Sequence, residues 1–368
     1  MNIGVIKAYI LNEFKYLIRS KMIYLVYIVP FMILILFGYG IKMNVKHARC
    51  VVIDYDKSKI SLALISKMRD SQYFKLLSPM SEKDALNKMK IGKVDMIFII
   101  PPSFEKWILK NQKTAIGIFI DGAYPMRALT MQSYAEGLIL DTAKSLKPNF
   151  KSLISINQRM LFNESLRDEN AIVPGLIGLI LLVAPALLAA LLIVKEKEEG
   201  TIFNFYSSPV KKIEFLIAKL TPVFILHSFN IFILFLAAIY LFKVPFKGSF
   251  LIYLTASEIY ILISLGIGLL VSIITSRQIV AIVLTVIITI IPGFLYSGML
   301  MPISSMEGES YIEAHIFPVM YYNHLVYDSF LIGEGLNSSK NILYFGILIV
   351  YAILLLVIGK LLLKKGLK

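Results

Sequence analysis

The sequence predicts an α-helical integral membrane protein with six transmembrane helices and a mixed α/β domain inserted between helices one and two. Three observations lead there. Of 368 residues, 57% are hydrophobic and only 17% charged, against about a quarter charged in ordinary soluble domains. Six apolar runs are long enough to cross a hydrocarbon core of roughly 30 Å: 23–41, 172–194, 215–242, 250–275, 279–296 and 341–363. Between the first two runs, 42–171 changes texture to short alternating strand and helix patterns, the composition of a domain with its own core.

Residues 1–21 read as an amphipathic lead-in. Ile6, Tyr9, Ile10, Phe14 and Leu17 recur at helical spacing, opposed by Lys7, Glu13, Lys15 and Arg19, so such a helix is expected in the membrane interface. A cleaved signal peptide fits less well. The basic lead is long and holds an acid, the apolar run of 22–41 exceeds a signal core, and no small-residue cleavage site follows cleanly.

In the insert, strands are expected at Cys50–Asp54, Tyr73–Leu77, Val94–Ile100, Ile116–Ile120 and Leu153–Leu161. Helices are expected at Ile60–Arg69, Glu82–Met89, Pro125–Ser145 and Ser103–Lys110, the last capped by Ser103. Which strands pair is not readable. Lys and Arg outnumber the acids here by about eight, mostly a solvated face. Trp107, Phe104 and Tyr73 are expected to fill its core or rim.

Basic residues orient the chain. Lys7, Lys15, Arg19 and Lys21, then Lys195, Lys197, Lys211, Lys212 and Lys219, then Arg277, then Lys364, Lys365 and Lys368 fall on one side of a six-crossing chain. The opposite short loop keeps Lys243 and Lys247. The rule that cytoplasmic loops are basic therefore puts both termini in the cytoplasm and the α/β insert outside. Placed this way, the formal charge of +14 flanks apolar spans and does not point to nucleic acid.

Several chemistries are excluded. The chain has no GxxxxGK[ST], HExxH, GxSxG or strand-borne GxGxxG, so it is no recognisable ATPase, protease or hydrolase. The four histidines, His47, His227, His315 and His324, lack metal-ligand spacing, and the lone Cys50 excludes an internal disulfide. No cofactor is expected in the chain itself.

The segment 195–219, KEKEEGTIFNFYSSPVKKIEFLIAK, lies between the second and third spans. Glu196, Glu198 and Glu199 precede Gly200-Thr201, and Ile202, Phe203, Phe205 and Tyr206 give a stubby apolar face. Ser207-Ser208-Pro209 should end this piece and start another helix, with serine as cap and proline in the first turn. The residues alone fit either a short helix offered to a protein groove or a solvated loop with interfacial aromatics.

This segment closely resembles the one between the second and third spans of ABC-2-type transporter permeases: a charged KE(R)GT run, a short helix, an S-P break and a GK-like end. Ala218-Lys219 stands where glycine-lysine is usual. VVIDYDKSKISLALISKMRDSQYF, NKMKIGKVDMIFIIPPSFEKWI, IDGAYPMRALTMQSYAEGLI, FNESLRDENAIVPGLIGLILL and SRQIVAIVLTVIITIIPGFLYSGMLMPISSM extend the resemblance nearly end to end, though Glu307-Gly308 replaces the usual proline. The nearest subgroup resembles bacterial exporters with a large outer domain, often described as multidrug efflux permeases. The resemblance implies a half-transporter in the bacterial inner membrane. Two permeases, identical or paired with a sibling, sit on two ABC ATPase subunits that hold the ATP and magnesium. The elbow is then the coupling helix, with Glu198, Glu199, Gly200, Thr201, Phe203, Phe205 and Tyr206 making the contact, and 1–21 a connecting helix. A periplasmic adaptor is a further candidate partner in a two-membrane cell.

Polar residues within spans are the other constellation. Glu258 lies about two turns inside the fourth span, where a charge costs about 2.5–3.5 kcal/mol on insertion scales. It either lines a translocation path or is hydrogen-bonded to a neighbouring helix. His227, Ser228 and Asn230 lie in the third span, and Pro292 can kink the fifth. Between spans five and six, 297–340 carries short apolar pieces such as Ile316–Tyr322, which read as a re-entrant outer hairpin or as a loop with interfacial tyrosines. A membrane-anchored binding or sensor protein is the competing class and a membrane enzyme a third. The elbow and the kinked fifth span favour the exporter permease, and the transported substrate is not readable.

Overall fold

The computed structural model describes residues 3–41, 45–110, 112–123, 125–146, 161–163 and 167–363. It divides into two compact units, one of Met1–Ile41 with Arg159–Lys368 and one of Lys42–Gln158. The first unit begins with α1 (Ile3–Arg19) and α2 (Met22–Gly40). Between them the Ser20 hydroxyl donates to the Leu17 carbonyl at 3.0 Å and accepts the Met22 N–H at 3.2 Å. One side chain thus closes one helix and starts the next.

The Lys42–Gln158 unit runs β1 (Ala48–Asp54), α3 (Lys59–Asp70), β2 (Phe74–Leu76), α4 (Glu82–Lys90), β3 (Met96–Ile100), α5 (Phe104–Leu109), β4 (Gly117–Ile120) and α6 (Pro125–Leu146). The strands form one sheet in the order β2-β1-β3-β4. β1 is parallel to β2 and to β3, with Cys50 opposite Met96, while β4 is antiparallel, with Ile120 opposite Met96. Alternate residues of β1 face opposite ways, as strand geometry requires. Cys50 joins Met68, Phe98, Met131 and Ala135 under α3 and α6. Val51 and Ile53 join Ala85 and Ile97 under α4. The result is a sheet with helices on both faces.

Burial, and then the nearby Asp95 charge, pushes the Cys50 thiol up to about 12, so this buried cysteine is a core residue. Asp95 holds the sheet to α6: its carboxylate takes Arg49 at 2.8 Å and Arg127 at 3.2 Å. Burial alone would raise the Asp95 carboxyl, but the Arg49 side chain and N–H together with the Arg127 charge hold it below the ordinary carboxylate range.

Two expectations for this unit change. Ser103 does not cap α5: it adopts a left-handed backbone, φ 63°, and makes no side-chain cap bond. The N–H of Glu105 is instead accepted by Asp56 at 3.0 Å, so a carboxylate from the loop after β1 does the capping. The strand expected at Leu153–Leu161 lies outside the described residues, apart from the non-strand Leu161.

The first unit continues through α7 (Asp168–Glu198), α8 (Ile202–Ser207), α9 (Lys212–Leu236), α10 (Phe250–Ile274) and α11 (Gln278–Leu295), then α12 (Glu309–Ile316), α13 (Pro318–Tyr327) and α14 (Ser339–Leu362). Among the described residues, six helices are long and apolar enough to cross a membrane: α2, α7, α9 with its π-helical extension to Leu241, α10, α11 and α14. The chain is thus mostly helical, with six candidate membrane-spanning helices.

α7 is the axis of the bundle. It packs against α2, α9, α10, α11 and α13, and Ile172–Val194 is almost wholly buried. Small residues permit this closeness: a Cβ on Gly268 of α10 would sit 2.9 Å from the Ala186 carbonyl carbon and the Ala189 Cβ of α7. α11 and α14 are mostly exposed to whatever surrounds the unit. The 297–340 region does not spread as a loop. α13 buries Val319, Tyr322 and Val326 against α7, α10 and α14. Tyr322 stacks on Tyr260 with centroids 3.9 Å apart and shares a 2.8 Å hydrogen bond with Ser257, while Asn323 donates to the Ser297 carbonyl at 3.1 Å.

Candidate functional site

The elbow is built from the end of α7, the six-residue α8 and the start of α9. Gly200 makes the corner: its φ of 76° lies in the left-handed region that only glycine occupies without strain. The Phe203 N–H then donates to the Gly200 carbonyl at 3.3 Å and opens α8. Residues two apart on a helix face opposite ways, and the two phenylalanines divide accordingly. Phe205 is 6% exposed and stacks on Phe215 of α9 at 4.1 Å, in a cluster with Ile193, Ile202, Leu216 and Leu269. Phe203 is 50% exposed, with the edge of Tyr206 beside it at 5.9 Å.

The expected serine–proline start of α9 is corrected. The Ser207 and Ser208 hydroxyls donate backwards, to the Phe203 and Phe205 carbonyls at 2.9 Å each, and so close α8. α9 starts three residues beyond Pro209, where the Glu214 carboxylate accepts the Lys211 N–H at 3.0 Å. A glutamate in the first turn stabilises a helix start electrostatically as well as by the bond.

The run of alternating charges at the end of α7 sorts onto two sides. On one side Lys195 bonds the Tyr16 hydroxyl of α1 and pairs with Glu199 one turn on, at 3.6 Å. Glu196 pairs with Lys219 of α9, and Lys219 also meets Glu13 of α1 at 2.5 Å. The Lys219 side chain is 5% exposed, that of Glu13 16% and that of Glu196 24%. On the other side Lys197 donates to the Ser272, Ile273 and Thr275 carbonyls at the end of α10. Glu198 accepts the Gln278 N–H at 2.8 Å and its side-chain amide at 3.1 Å, at the start of α11. A lysine on carbonyl ends and a glutamate on amide ends each complement the helix dipoles they touch. One helix terminus therefore ties α1, α9, α10 and α11 together. Beside it, α1, α8 and α9 enclose a groove of about 210 Å³ lined by Tyr9, Asn12, Glu13, Thr201 and Asn204 among others.

Of the residues singled out in the sequence, Glu199, Thr201 and Phe203 lie on the open part of this elbow, Tyr206 is half-buried against the Phe205 cluster, and Gly200 makes the corner. Glu198 turns away to cap α11, and Phe205 belongs to the core. Sequence reading missed the Glu13–Lys219–Glu196 network, and with it the separate contacts of Lys195 with Tyr16 and of Lys197 with the end of α10. The available signal was a lysine set inside an apolar run, where a charge needs a partner.

The polar residues of the spans do not gather at one point. Ser228 donates to Glu258 at 2.7 Å, linking α9 to α10 on a half-buried face. Asn230 instead donates to the Val26 carbonyl of α2 at 3.2 Å. His227 is fully buried, and neither ring nitrogen has a hydrogen-bond partner among the described residues. Pro292 is buried inside α11, next to Gly293, whose missing Cβ leaves room for Leu179 of α7. Among the described residues, no cluster of three or more His, Cys, Asp or Glu could hold a metal ion.

Comparison with known proteins places this architecture. The "Probable multidrug ABC transporter permease YbhS" of Escherichia coli K12 is 28% identical over 335 residues, 89% of each chain. "Probable multidrug ABC transporter permease YbhR" of the same organism is 24% identical over 340 residues, covering 90% of this chain and 91% of that one. "ABC transporter G family member 20" of Dictyostelium discoideum is 21% identical over 360 residues, 95% of this chain and 49% of that one. The family model described as "ABC-2 family transporter protein" matches residues 21–361, so this chain belongs to the ABC-2 family of transporter proteins.

Proposed function

We propose that this chain is the permease subunit of an ATP-driven exporter. As a dimer, of two copies or with a sibling, it forms the translocation path, and separate ABC ATPase subunits holding ATP and magnesium drive it. Relatives over nine-tenths of the chain are named as multidrug ABC transporter permeases, which supports the class. Both termini and the elbow lie in the cytoplasm of a bacterium, and the α/β unit lies outside its inner membrane. The charge asymmetry of the loops supports that orientation.

The observation that carries the mechanism is the ion-paired elbow. An ATPase can move a pore only through an element held differently in its two states. α8 presents Phe203 on its open face, with Glu199 exposed at the end of α7 just before it, while the charges behind them join α1, α9, α10 and α11. Motion imposed on α8 therefore reaches four helices at once. Within the spans, the Glu258–Ser228 pair on the half-buried face supports a path there. His227 and Asn230, turned into the bundle, support a structural place for those two.

The test is purification of the tagged full-length chain, co-expressed with ABC ATPases of its own organism, followed by ATP-dependent transport in inverted vesicles. Phe203→Glu is expected to abolish ATPase co-purification while the chain still inserts and folds. A Phe203→Glu protein that retains its ATPase and transports at the wild-type rate would overturn the assignment.

A further inference from the structure

The α/β unit contains a cavity of about 540 Å³, within the range of small-molecule sites. Its walls are aliphatic: Ile60 and Leu64 of α3, Ile108 of α5, Ile116 before β4 and Ile139 of α6, with Phe104 the one ring. Polar groups come mainly from the segment entering β4, where Gln112, Lys113 and Thr114 line the cavity, with Thr142 from α6.

The topology independently marks the same spot. From β1 the chain crosses over to β2 on one side and then returns to pair β3 on the other, so the strand order reverses beside β1. Ligands of open sheets with helices on both faces bind outside the carboxyl ends of the strands at such a reversal. Ile60 follows β1 by six residues and Phe104 follows β3 by four. Gly117 at the start of β4 pairs with Ile99 near the carboxyl end of β3, so 112–116 enter at that end too. The cavity thus sits at the switch point.

Charge selects the ligand. Lys113 lines the cavity, and Lys144 follows the lining residue Ala143 in sequence. The nearby acid on α6, Asp141, is paired with Lys67 at 2.6 Å. We propose that this cavity binds a single-chain carboxylate amphiphile, its acyl chain against the aliphatic walls and its carboxylate at Lys113 and Gln112. The site does not depend on the permease reading, since it is built wholly within one unit.

Trp107, the only tryptophan of the chain, lies on α5 with Phe104 and Ile108 and reports occupancy directly. The full-length protein in lipid nanodiscs would be titrated with 11-(dansylamino)undecanoate, reading energy transfer from Trp107 against empty nanodiscs. Saturable transfer, competed by dodecanoate, is expected. Ala115 and Ala143 line the cavity yet are exposed, so Ala115→Phe and Ala143→Phe fill it without disturbing the core. Each is expected to weaken binding at least about tenfold, the equivalent of two excluded methylenes. Lys113→Glu is expected to weaken the carboxylate probe and to spare a dansylated alkylamine of the same length. Transfer that rises linearly with probe, as simple bilayer partition does, would overturn the proposal, and so would wild-type affinity in both phenylalanine variants.

Discussion

Lys219→Met tests whether the elbow is held by its buried ions. The lysine nitrogen is almost inaccessible and serves two carboxylates, Glu13 on α1 and Glu196 on α7. Methionine keeps the aliphatic stem and removes the charge, leaving two glutamates side by side with no cation. Breaking a buried pair from one side costs about 3–5 kcal/mol. The glutamates are partly solvated, so the lower end applies, about 3 kcal/mol. An exposed pair would cost only about 0.2–1 kcal/mol. Neutralising all three, as Lys219→Met with Glu13→Gln and Glu196→Gln, removes the repulsion and is expected to recover most of the loss. Reversible unfolding of the full chain in mixed micelles measures both variants. A loss below 1 kcal/mol for the single variant, or a triple variant no better than the single, would refute the reasoning.

Further outcomes follow from the packing and from one buried charge. Phe205→Ala is expected to cost about 3–5 kcal/mol of stability as a large-to-small core change, since its ring is buried on Phe215. Phe203→Ala should stay within about 0.5 kcal/mol yet weaken ATPase co-purification, which pull-down and unfolding read separately. Gly268→Ala pushes a methyl onto the Ala186 backbone, which cannot swing aside, and is expected to cost about 1–3 kcal/mol. Gly346→Ala in α14 meets nothing within 4 Å and should be neutral or stabilising by up to about 1 kcal/mol. Asp95, held below its ordinary pKa, contributes stability that is complete above the unfolded carboxylate value of about 4. That contribution is lost as pH falls through the lower folded value. Asp95→Asn should cost about 2 kcal/mol at neutral pH and flatten the acid limb, as hydrogen exchange of β1 and β3 would report.

The spans were legible because a hydrocarbon core demands length and apolarity from the local sequence alone. All six candidate helices start within four residues of the runs that announced them. The strands of the α/β unit were legible for a similar reason, and α6 ends one residue from its expected limit. Their pairing was not, because β1 pairs with residues 46 positions away in β3 and nothing local encodes that choice. The same limit governs the elbow. The sequence groups Glu198 with Glu199 as a charge facing the ATPase, but it is bonded within the chain to Gln278, 80 residues on. Ser103 looked like a cap because serine usually is one, yet Asp56, 49 residues earlier, had already met the N–H of Glu105. The opposition of Phe203 and Phe205 could have been derived, since helix geometry separates residues two apart.

The division of labour in the elbow follows from one geometric fact. Residues two apart on a helix face opposite ways, while residues four apart share a face. Lys195 therefore meets Glu199 and turns toward α1 while Lys197 turns to α10, and Glu196 turns to α9 while Glu198 turns to α11. An uncharged helix end could have packed against one neighbour. This one bonds to two pairs of helices because its charges alternate. Those bonds are mostly to helix termini and buried ions, which hold geometry better than exposed pairs do. On the permease reading, a stiff junction is what a lever needs: compliance between α8 and the spans would absorb the displacement that nucleotide closure supplies. Lys219 is then the stress point, since it joins the end of α7 to both α1 and α9. Weakening it should uncouple ATP hydrolysis from transport before it disrupts the bundle, so Lys219→Gln at permissive temperature is expected to retain ATPase association while transport per ATP falls. Equal loss of both would assign the network to folding alone.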